Sequence, residues 1–362
     1  MNALHRRAPA SRLSALHQLL GTEHVLIQAP MAGVQGSALA LGAAEGGALG
    51  SLPAAMLAPA ALQAELETLR AARGREYAVN FFCHRPPPQP SPREAAWRAL
   101  LRPYYDELGV DPQAIPAAPA RQPFDAGHAA LVEAFRPRVV CFHFGLPEPA
   151  LLARVRATGA VVMSSATTVD EARWLEAHGA DVVIAQGLEA GGHRGMFLTD
   201  DLTTQCGTLA LLPQVVQAVR VPVVAAGGIA DAAGVAAAMA LGAAGVQVGT
   251  AYLCCTEATT SALHRRALQG PGAAHTALTT LFSGRPARGI VNRLMRELGP
   301  LHPGAPEFPL AGGAITPLRA AAEALGSSDF SPLWSGQNAS GCRECGAAEV
   351  SRRLAEGLPR GG

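Results

Sequence analysis

Residues 221–253 read VPVVAAGGIADAAGVAAAMALGAAGVQVGTAYL and hold one full repeat of the architecture. Pro222–Ala226 has the β-branched, apolar content of a short strand, Ala232–Leu241 is Ala-rich and of helical length, and Gly245–Thr250 is a second apolar run. Gly242 stands where a helix ending in a left-handed cap would place a glycine. Strand, helix and strand in that order is the pattern of parallel strands joined by a crossover helix. The 24 residues Ala232–Cys255 carry no charge, which nominally meets the length of a membrane span. The central GAAG divides an Ala-rich half from a β-branched half, so the stretch reads as helix, turn and strand instead.

The same unit recurs upstream. Candidate strands at Val25–Ala29, Ala48–Ser51, Tyr77–Phe82, Val139–Phe144, Ala160–Ser165 and Asp181–Gln186 bring the total to eight. Pro147–Thr158, Val169–His178 and Leu209–Arg220 read as helices between them, with Gly159 and Gly179 as further cap glycines. Eight such strands predict an α/β chain closed as a (β/α)8 TIM barrel. Between the third and fourth strands lies a longer piece, with HRPPPQPSP (84–92) and PQAIPAAPARQP (112–123) around a helical Arg93–Leu108; it reads as an insertion. Beyond the eighth strand, helical Thr260–Leu268, a Pro/Gly-rich Gly299–Gly313, and helical Pro317–Leu325 and Ala347–Leu354 predict a C-terminal helical cap. The expected division is barrel over 1–82 and 139–256, Pro-rich insertion over 83–138, and cap or subdomain over 257–362.

Composition narrows the chemistry. The chain has 362 residues, 49% of them hydrophobic, so it is not a disordered protein. Basic residues number 29 against 28 acidic, a formal charge of +1 without a basic block, which argues against a nucleic-acid partner. All the basic residues are Arg; with no Lys, Schiff-base catalysis and the Walker P-loop are excluded. Seven Cys, an odd number, and a start, MNALHRRAPA, without an apolar signal core predict a reduced, cytoplasmic protein with no membrane partner. Homo-oligomerisation stays open.

In such a barrel the active site is built at the C-terminal ends of the strands. Gly227-Gly228 and Gly249-Thr250 follow the last two strands, where barrels bind phosphate through bare backbone N–H groups and a helix N-terminus; the alternative is two tight turns. Asn80, Gln186 and Gln247 are uncharged donors and acceptors at strand ends, suited to the edge of a flat heterocycle such as an isoalloxazine, or alternatively to capping loop backbone. His193, in EAGGHRG (189–195), is the candidate base: no apolar face is evident to bury it, and glycines flank it. His143, between two Phe, reads as a core histidine or a pocket wall. Cys342 and Cys345 have redox or zinc spacing but no second pair, and Asp200-Asp201 reads as a solvated turn, so no metal is expected.

The strings IQAPMAG, AVNFF, AQGLEAGGHRG, VPVVAAGGIADAAGVAAAMALGAAGVQVGTAYL and SGRPARGIVNRL resemble those of the nitronate monooxygenases, formerly called 2-nitropropane dioxygenases. The resemblance spans nearly the whole chain and is strongest over Val161–Leu253. It implies FMN in a (β/α)8 barrel without a metal, and oxidation of alkyl nitronates, with nitroalkanes as further substrates, by O2 to a carbonyl compound and nitrite. Carried over, the flavin contacts fall on Asn80, Gln186, Gly191, Gly228 and Gln247, Val248, Gly249 and Thr250, with Ala29, Pro30 and Met31 near the ring. The catalytic histidine falls on His193. The Pro-rich piece 85–123 and the CxxC tail have no counterpart in the resemblance. Two rival readings remain: an FMN-dependent enoyl-thioester reductase using NAD(P)H, and a non-catalytic protein binding FMN or another phosphate ligand.

Overall fold

A computed structural model describes residues 9–87, 91–112 and 121–359. Its strands are β1 (Leu26–Gln28), β2 (Gly50–Pro53), β3 (Tyr77–Phe82), β4 (Val139–His143), β5 (Val161–Ala166), β6 (Val182–Gln186), β7 (Gly192–His193), β8 (Val223–Ala226), β9 (Gly245–Val248), β10 (Thr276–Thr279) and β11 (Ala287–Ile290). Eight of them form one parallel sheet in the order β1-β9-β8-β6-β5-β4-β3-β2. A parallel bridge between Ile27 and Leu49 joins its two ends, with Gln28 N–H donating to the Leu49 carbonyl at 2.9 Å. The (β/α)8 barrel expected from the sequence is therefore the fold, and all eight expected strands lie within two residues of their observed ends.

The strands are apolar throughout because both of their faces are covered. Ile27, Val139, Met163, Val182, Ile184 and Val224 fill the barrel interior together with Leu16 and Leu20 of α1 (Pro9–Leu20), both fully buried. Alternate residues such as Val183, Val223 and Val246 face outward, beneath the helices. Those helices are α2 (Ser37–Glu45), α3 (Pro59–Ala71), α6 (Ala126–Phe135), α7 (Pro149–Ala157), α8 (Val169–Ala177), α9 (Thr208–Ala218) and α10 (Ala232–Ala240), while α4 (Arg93–Leu100) and α5 (Arg102–Leu108), after β3, lie apart from them. The cap glycines take the left-handed conformation anticipated for them, with φ of 85° at Gly159, 100° at Gly179 and 96° at Gly242. Residues 232–255 are α10, a turn, β9 and a short 3-10 turn; among the described residues no helix is long and apolar enough to cross a membrane.

After β9 come α11 (Ala262–Gln269), α12 (Arg293–Leu298), α13 (Ala311–Ala324) and α14 (Ala347–Ala355). The elements of 257–362 go to three places. α14 returns to the barrel and packs on α2: Ser351 Oγ donates to the Ala43 carbonyl at 3.1 Å, and Tyr252 hydroxyl lies 2.8 Å from Ser351 Oγ. A Cβ at Gly46 would run into Ala348 and Ser351, so this close approach needs a glycine there. Leu268 of α11 packs with Leu253, Ile290 and Leu333, and α12 and α13 form a separate core with the piece that follows β3. Trp97, Tyr105, Leu281, Leu294, Ile315, Leu318 and Phe330 are buried together; Trp97 Nε1–H donates to the Ala311 carbonyl at 3.1 Å and Tyr105 hydroxyl to that of Ala314 at 2.8 Å.

Two helices depart from expectation, each at a proline. Arg93–Leu108 is not one helix but two that break at Leu101, with Pro103 in the first turn of α5. α13 begins at Ala311, so Pro317 lies inside the helix and does not open it. Residues 88–90 and 113–120 of the two Pro-rich stretches lie outside the described residues, as do Met1–Ala8.

Candidate active site

The C-terminal ends of the strands open on a cavity of about 290 Å³, roughly ten times the volume a water molecule takes in the liquid. Every residue expected near the flavin or as the base lines it: Ala29, Pro30 and Met31 after β1, Asn80 in β3, Gln186, Gly191 and His193 from β6 onward, Gly227 and Gly228 after β8, and Gln247, Val248, Gly249 and Thr250 at β9. The loop after β1 is held from below by two buried amides. Gln28 Nε2 donates to Gln35 Oε1 at 2.8 Å, Gln28 Oε1 accepts from Ser51 N–H at 3.1 Å, and Gln35 Oε1 also takes Met31 N–H at 3.0 Å.

The three strand-end amides differ in how far they are committed. Gln186 braces the loop that carries His193: its Nε2 donates to the His193 carbonyl at 2.9 Å and its Oε1 accepts from Gly195 N–H at 2.7 Å. Loop capping, the plainer of the two readings, is thus what its polar atoms do. Asn80 Nδ2 donates to the Cys141 carbonyl at 3.3 Å. Gln247 is half-buried at the cavity wall, and its amide has no partner among the described residues.

Gly227 (φ 115°) and Gly228 (φ 75°) are left-handed. A Cβ at Gly227 would sit 3.0 Å from Thr208 Oγ1 and 3.1 Å from the Gly187 carbonyl, so the turn alone demands glycine there. The N–H groups of Gly228, Gly249 and Thr250 find no acceptor among the described residues, although ordered backbone donors are nearly always paired with protein or water. α10 starts nearby, but Asp231 already caps it by accepting Gly234 N–H at 2.8 Å. The bare donors of this wall are therefore the loop amide of Gly228 and those of Gly249 and Thr250 at the start of the short 3-10 turn, not the N-terminus of α10.

One wall was not legible in the sequence. Trp334, Ser335, Gly336 and Asn338 line the same cavity, held by Gly336 N–H to Thr250 Oγ1 at 3.0 Å and Asn338 Nδ2 to the Gly228 carbonyl at 3.2 Å. Their only signal is a run of small polar residues, WSGQN, lacking any period.

The expectation that nothing apolar buries His193 is overturned. Its residue pairs with Ala287 of β11, and its ring lies among those of Phe308 (5.4 Å between centroids), Trp334 (5.7 Å), Phe82 (6.0 Å) and Phe144 (6.1 Å). Burial holds its pKa well below the ordinary histidine value, and the charges of Arg121 and Arg285, with His143 and His84, push the same way. The ring is neutral at pH 7, as a general base must be. Ser283 has one proton and two neighbours able to take it, His193 Nε2 at 2.9 Å and the Arg285 carbonyl at 3.2 Å. The carbonyl can only accept, so the arrangement that pairs all three has His193 Nε2–H donating to Ser283 and leaves the lone pair on Nδ1, an assignment made from partners.

His143 proves to be a pocket wall with a supporting task. It lines the cavity, its Nε2–H donates to the His193 carbonyl at 3.2 Å, and burial lowers its pKa to about 4. Arg194, next to His193, is fully buried and turns away from the cavity's chemistry; its guanidinium donates to the carbonyls of Gly187 (2.6 Å) and Gln186 (2.8 Å) and to Gln205 Oε1 (3.1 Å). Asp201 is exposed and accepts from Thr203 N–H at 2.9 Å, while Cys342 Sγ donates to the Thr250 carbonyl at 3.0 Å. Among the described residues, no cluster of His, Cys, Asp and Glu has the arrangement of a metal site.

Similarity to known proteins identifies the family. Residues 13–356 match the family described as nitronate monooxygenase. A nitronate monooxygenase of Pseudomonas aeruginosa is 41% identical over 94% of this chain and 98% of that protein. The structure of nitroalkane oxidase from Streptomyces ansochromogenes superposes with a TM-score of 0.86 at 38% identity, covering 94% of this chain and 96% of that one. FabK from Thermotoga maritima, at 24% identity and a TM-score of 0.67 over 94% of both chains, shares the fold. Matched over nearly its whole length at such identity, this chain is an enzyme of the nitronate monooxygenase family, a flavin-dependent class of oxidoreductases.

Proposed function

We propose that this chain binds FMN and oxidises alkyl nitronates, and nitroalkanes once their α-proton is removed, with O2 as the oxidant and a carbonyl compound and nitrite as products. The observation that carries this reading is a neutral, half-buried His193 in the same cavity as backbone amides that lack acceptors. The donor set suits the cofactor: amides of Gly228, Gly249 and Thr250 for a phosphate, and Gln247 and Asn80 for the edge of the ring, with Gly191 and the Ala29–Met31 loop beside it and Gly227 shaping the turn. FMN, when bound, supplies the electron acceptor and hands the electrons on to oxygen.

The chain's own part is acid–base and spatial. A nitronate is already a carbanion equivalent, whereas a neutral nitroalkane must first give up a proton; His193 Nδ1, unprotonated and backed by Ser283, is the group to receive it. The rings of Phe82, Phe144, Phe308 and Trp334 surround the imidazole, and this apolar setting disfavours its protonated form.

The purified protein should be yellow, release FMN on heating, and consume oxygen with nitrite formation on a pre-formed alkyl nitronate. A protein that stays colourless in excess FMN overturns the cofactor. A flavoprotein that NADH bleaches rapidly under anaerobic conditions, and that forms no nitrite from nitronates, overturns the reaction in favour of a nicotinamide-dependent reductase.

A further inference from the structure

Arg121 lies just before α6, in the piece of chain for which the sequence offered no functional reading, and its side chain reaches the cavity. The guanidinium is stacked 5.5 Å from the centroid of the Phe308 ring, which itself lies 5.4 Å from that of His193. Among the described residues, no carboxylate stands within ion-pair distance of it and no acceptor takes its N–H groups. The other arginine of the cavity, Arg319, is paired with Glu323 at 2.8 Å. Of the buried arginines near the site, Arg194 and Arg288 spend their donors on backbone carbonyls. Arg121 is thus a half-buried cation, its charge disfavoured by desolvation, whose counter-charge the described chain does not provide. Isolated buried charge is costly, so a folded chain keeps one where a ligand supplies the opposite charge.

We propose that Arg121 is the residue that recognises the negative charge of the substrate, its guanidinium taking the two oxygens of a nitronate side by side and so holding the reacting carbon near His193. This rests on the reading that the site acts on nitronates. A nitronate carries its charge on a planar O–N–O group, whose geometry a guanidinium fork matches as it matches a carboxylate. The neutral nitroalkane has the same outline without the charge, so Arg121 discriminates between the two forms of one substrate. The amides of Gly228 and Gly249, proposed for the phosphate, follow β8 and β9, whereas Arg121 sits with Phe308 and His193; the cavity thus has two anion-seeking walls.

The test is Arg121→Met and Arg121→Lys, each checked for flavin content and Tm, with KM and kcat measured on a pre-formed nitronate and on the matching neutral nitroalkane. Losing a charge-assisted bond should raise the nitronate KM roughly ten- to a hundredfold in Arg121→Met, with a smaller effect on the nitroalkane and partial recovery in Arg121→Lys. Calorimetric titration of the holoprotein with nitrate, a planar oxyanion of the same shape, gives a readout free of turnover: binding to the wild type and loss of binding in Arg121→Met support the assignment. Equal losses on both substrate forms, or nitrate binding that survives the substitution, overturn it. If the wild type binds nitrate through Arg121 yet forms no nitrite from any nitronate, the anion site stands and the proposed reaction fails; if turnover is present and Arg121→Met leaves the nitronate KM where it was, the reverse holds.

Discussion

Replacing Gly249 by alanine separates the ligand's demand for glycine from the protein's own. Gly249 has φ of −113°, open to any residue, and an added Cβ would meet Ala29 Cβ at 3.4 Å and Met31 Sδ at 3.6 Å, ordinary contact distances. The folded protein should accept the methyl group, and the lost freedom of the unfolded chain adds about 0.4–1 kcal/mol of stability. Gly228, by contrast, has φ of 75°, where any side chain strains the backbone by about 1–2 kcal/mol before a ligand is considered. If a phosphate receives the N–H of Gly249, the methyl holds it off and one charge-assisted bond, about 1.5–3 kcal/mol, is lost, weakening FMN roughly ten- to 150-fold. Fluorescence titration of the apoprotein with FMN and with riboflavin reads this directly, because riboflavin has no phosphate: the preference for FMN should shrink while riboflavin affinity holds. A Gly249→Ala variant of undiminished Tm whose FMN affinity equals the wild type's would refute the placement of the phosphate.

His193→Asn should cost about 10²–10⁴-fold on neutral nitroalkanes and much less on pre-formed nitronates, measured by oxygen uptake in flavin-matched samples; equal losses would make the residue a positioning group. Because burial holds its pKa below the ordinary value of 6.5, wild-type activity on nitroalkanes should persist as pH falls through that value, and an acid limb centred there would contradict the burial. Arg194→Met strands three buried acceptors and should lower stability by roughly 3 kcal/mol, read by urea unfolding; a change under about 1 kcal/mol would show that the loop re-pairs without it. His143 and His264 have folded pKa values near 4 against 6.5 unfolded, so the unfolded chain binds their protons first as pH falls. Stability present above about pH 6.5 should therefore decline between 6.5 and 4, by up to about 1.4 kcal/mol per pH unit for each, and His264→Gln should flatten that slope.

The barrel was legible because strands covered on both faces leave an unbroken apolar record: VPVVAA and DVVIAQ admit no solvent-facing alternation. The strand-end residues followed from the fold, since chemistry in a barrel gathers at one end. Less legible was anything whose meaning depends on a distant partner. His193 looked exposed beside its glycines because the rings that enclose it come from residues 82, 144, 308 and 334. Gln186 carried the same chemical sign as Gln247, and only the three-dimensional path of the EAGGHRG loop commits the first and frees the second. Pro317 marked a helix start in the sequence and sits mid-helix in the fold, because the preceding turns of α13 are secured by packing against α4 and α5. Arg121 lay in a proline-rich piece with no period, where a single charge carries no signal until its surroundings are known.

The helix that covers the α2 side of the barrel reaches it from far along the chain: Ser351 and Ala43, bonded across α14 and α2, are separated by 308 residues. Between β9 and α14 the chain first builds the body around Trp97 and Phe330 and then lays Trp334–Asn338 across the cavity. Loop-closure entropy makes such a contact among the last to form in folding and among the first to open. α2 and α14 should therefore exchange their amide protons as one cooperative unit of lower protection than β4, β5 and β6. Occupancy of the cavity, by pinning residues 334–338 that lead into α14, would raise that protection at a seam that touches no ligand.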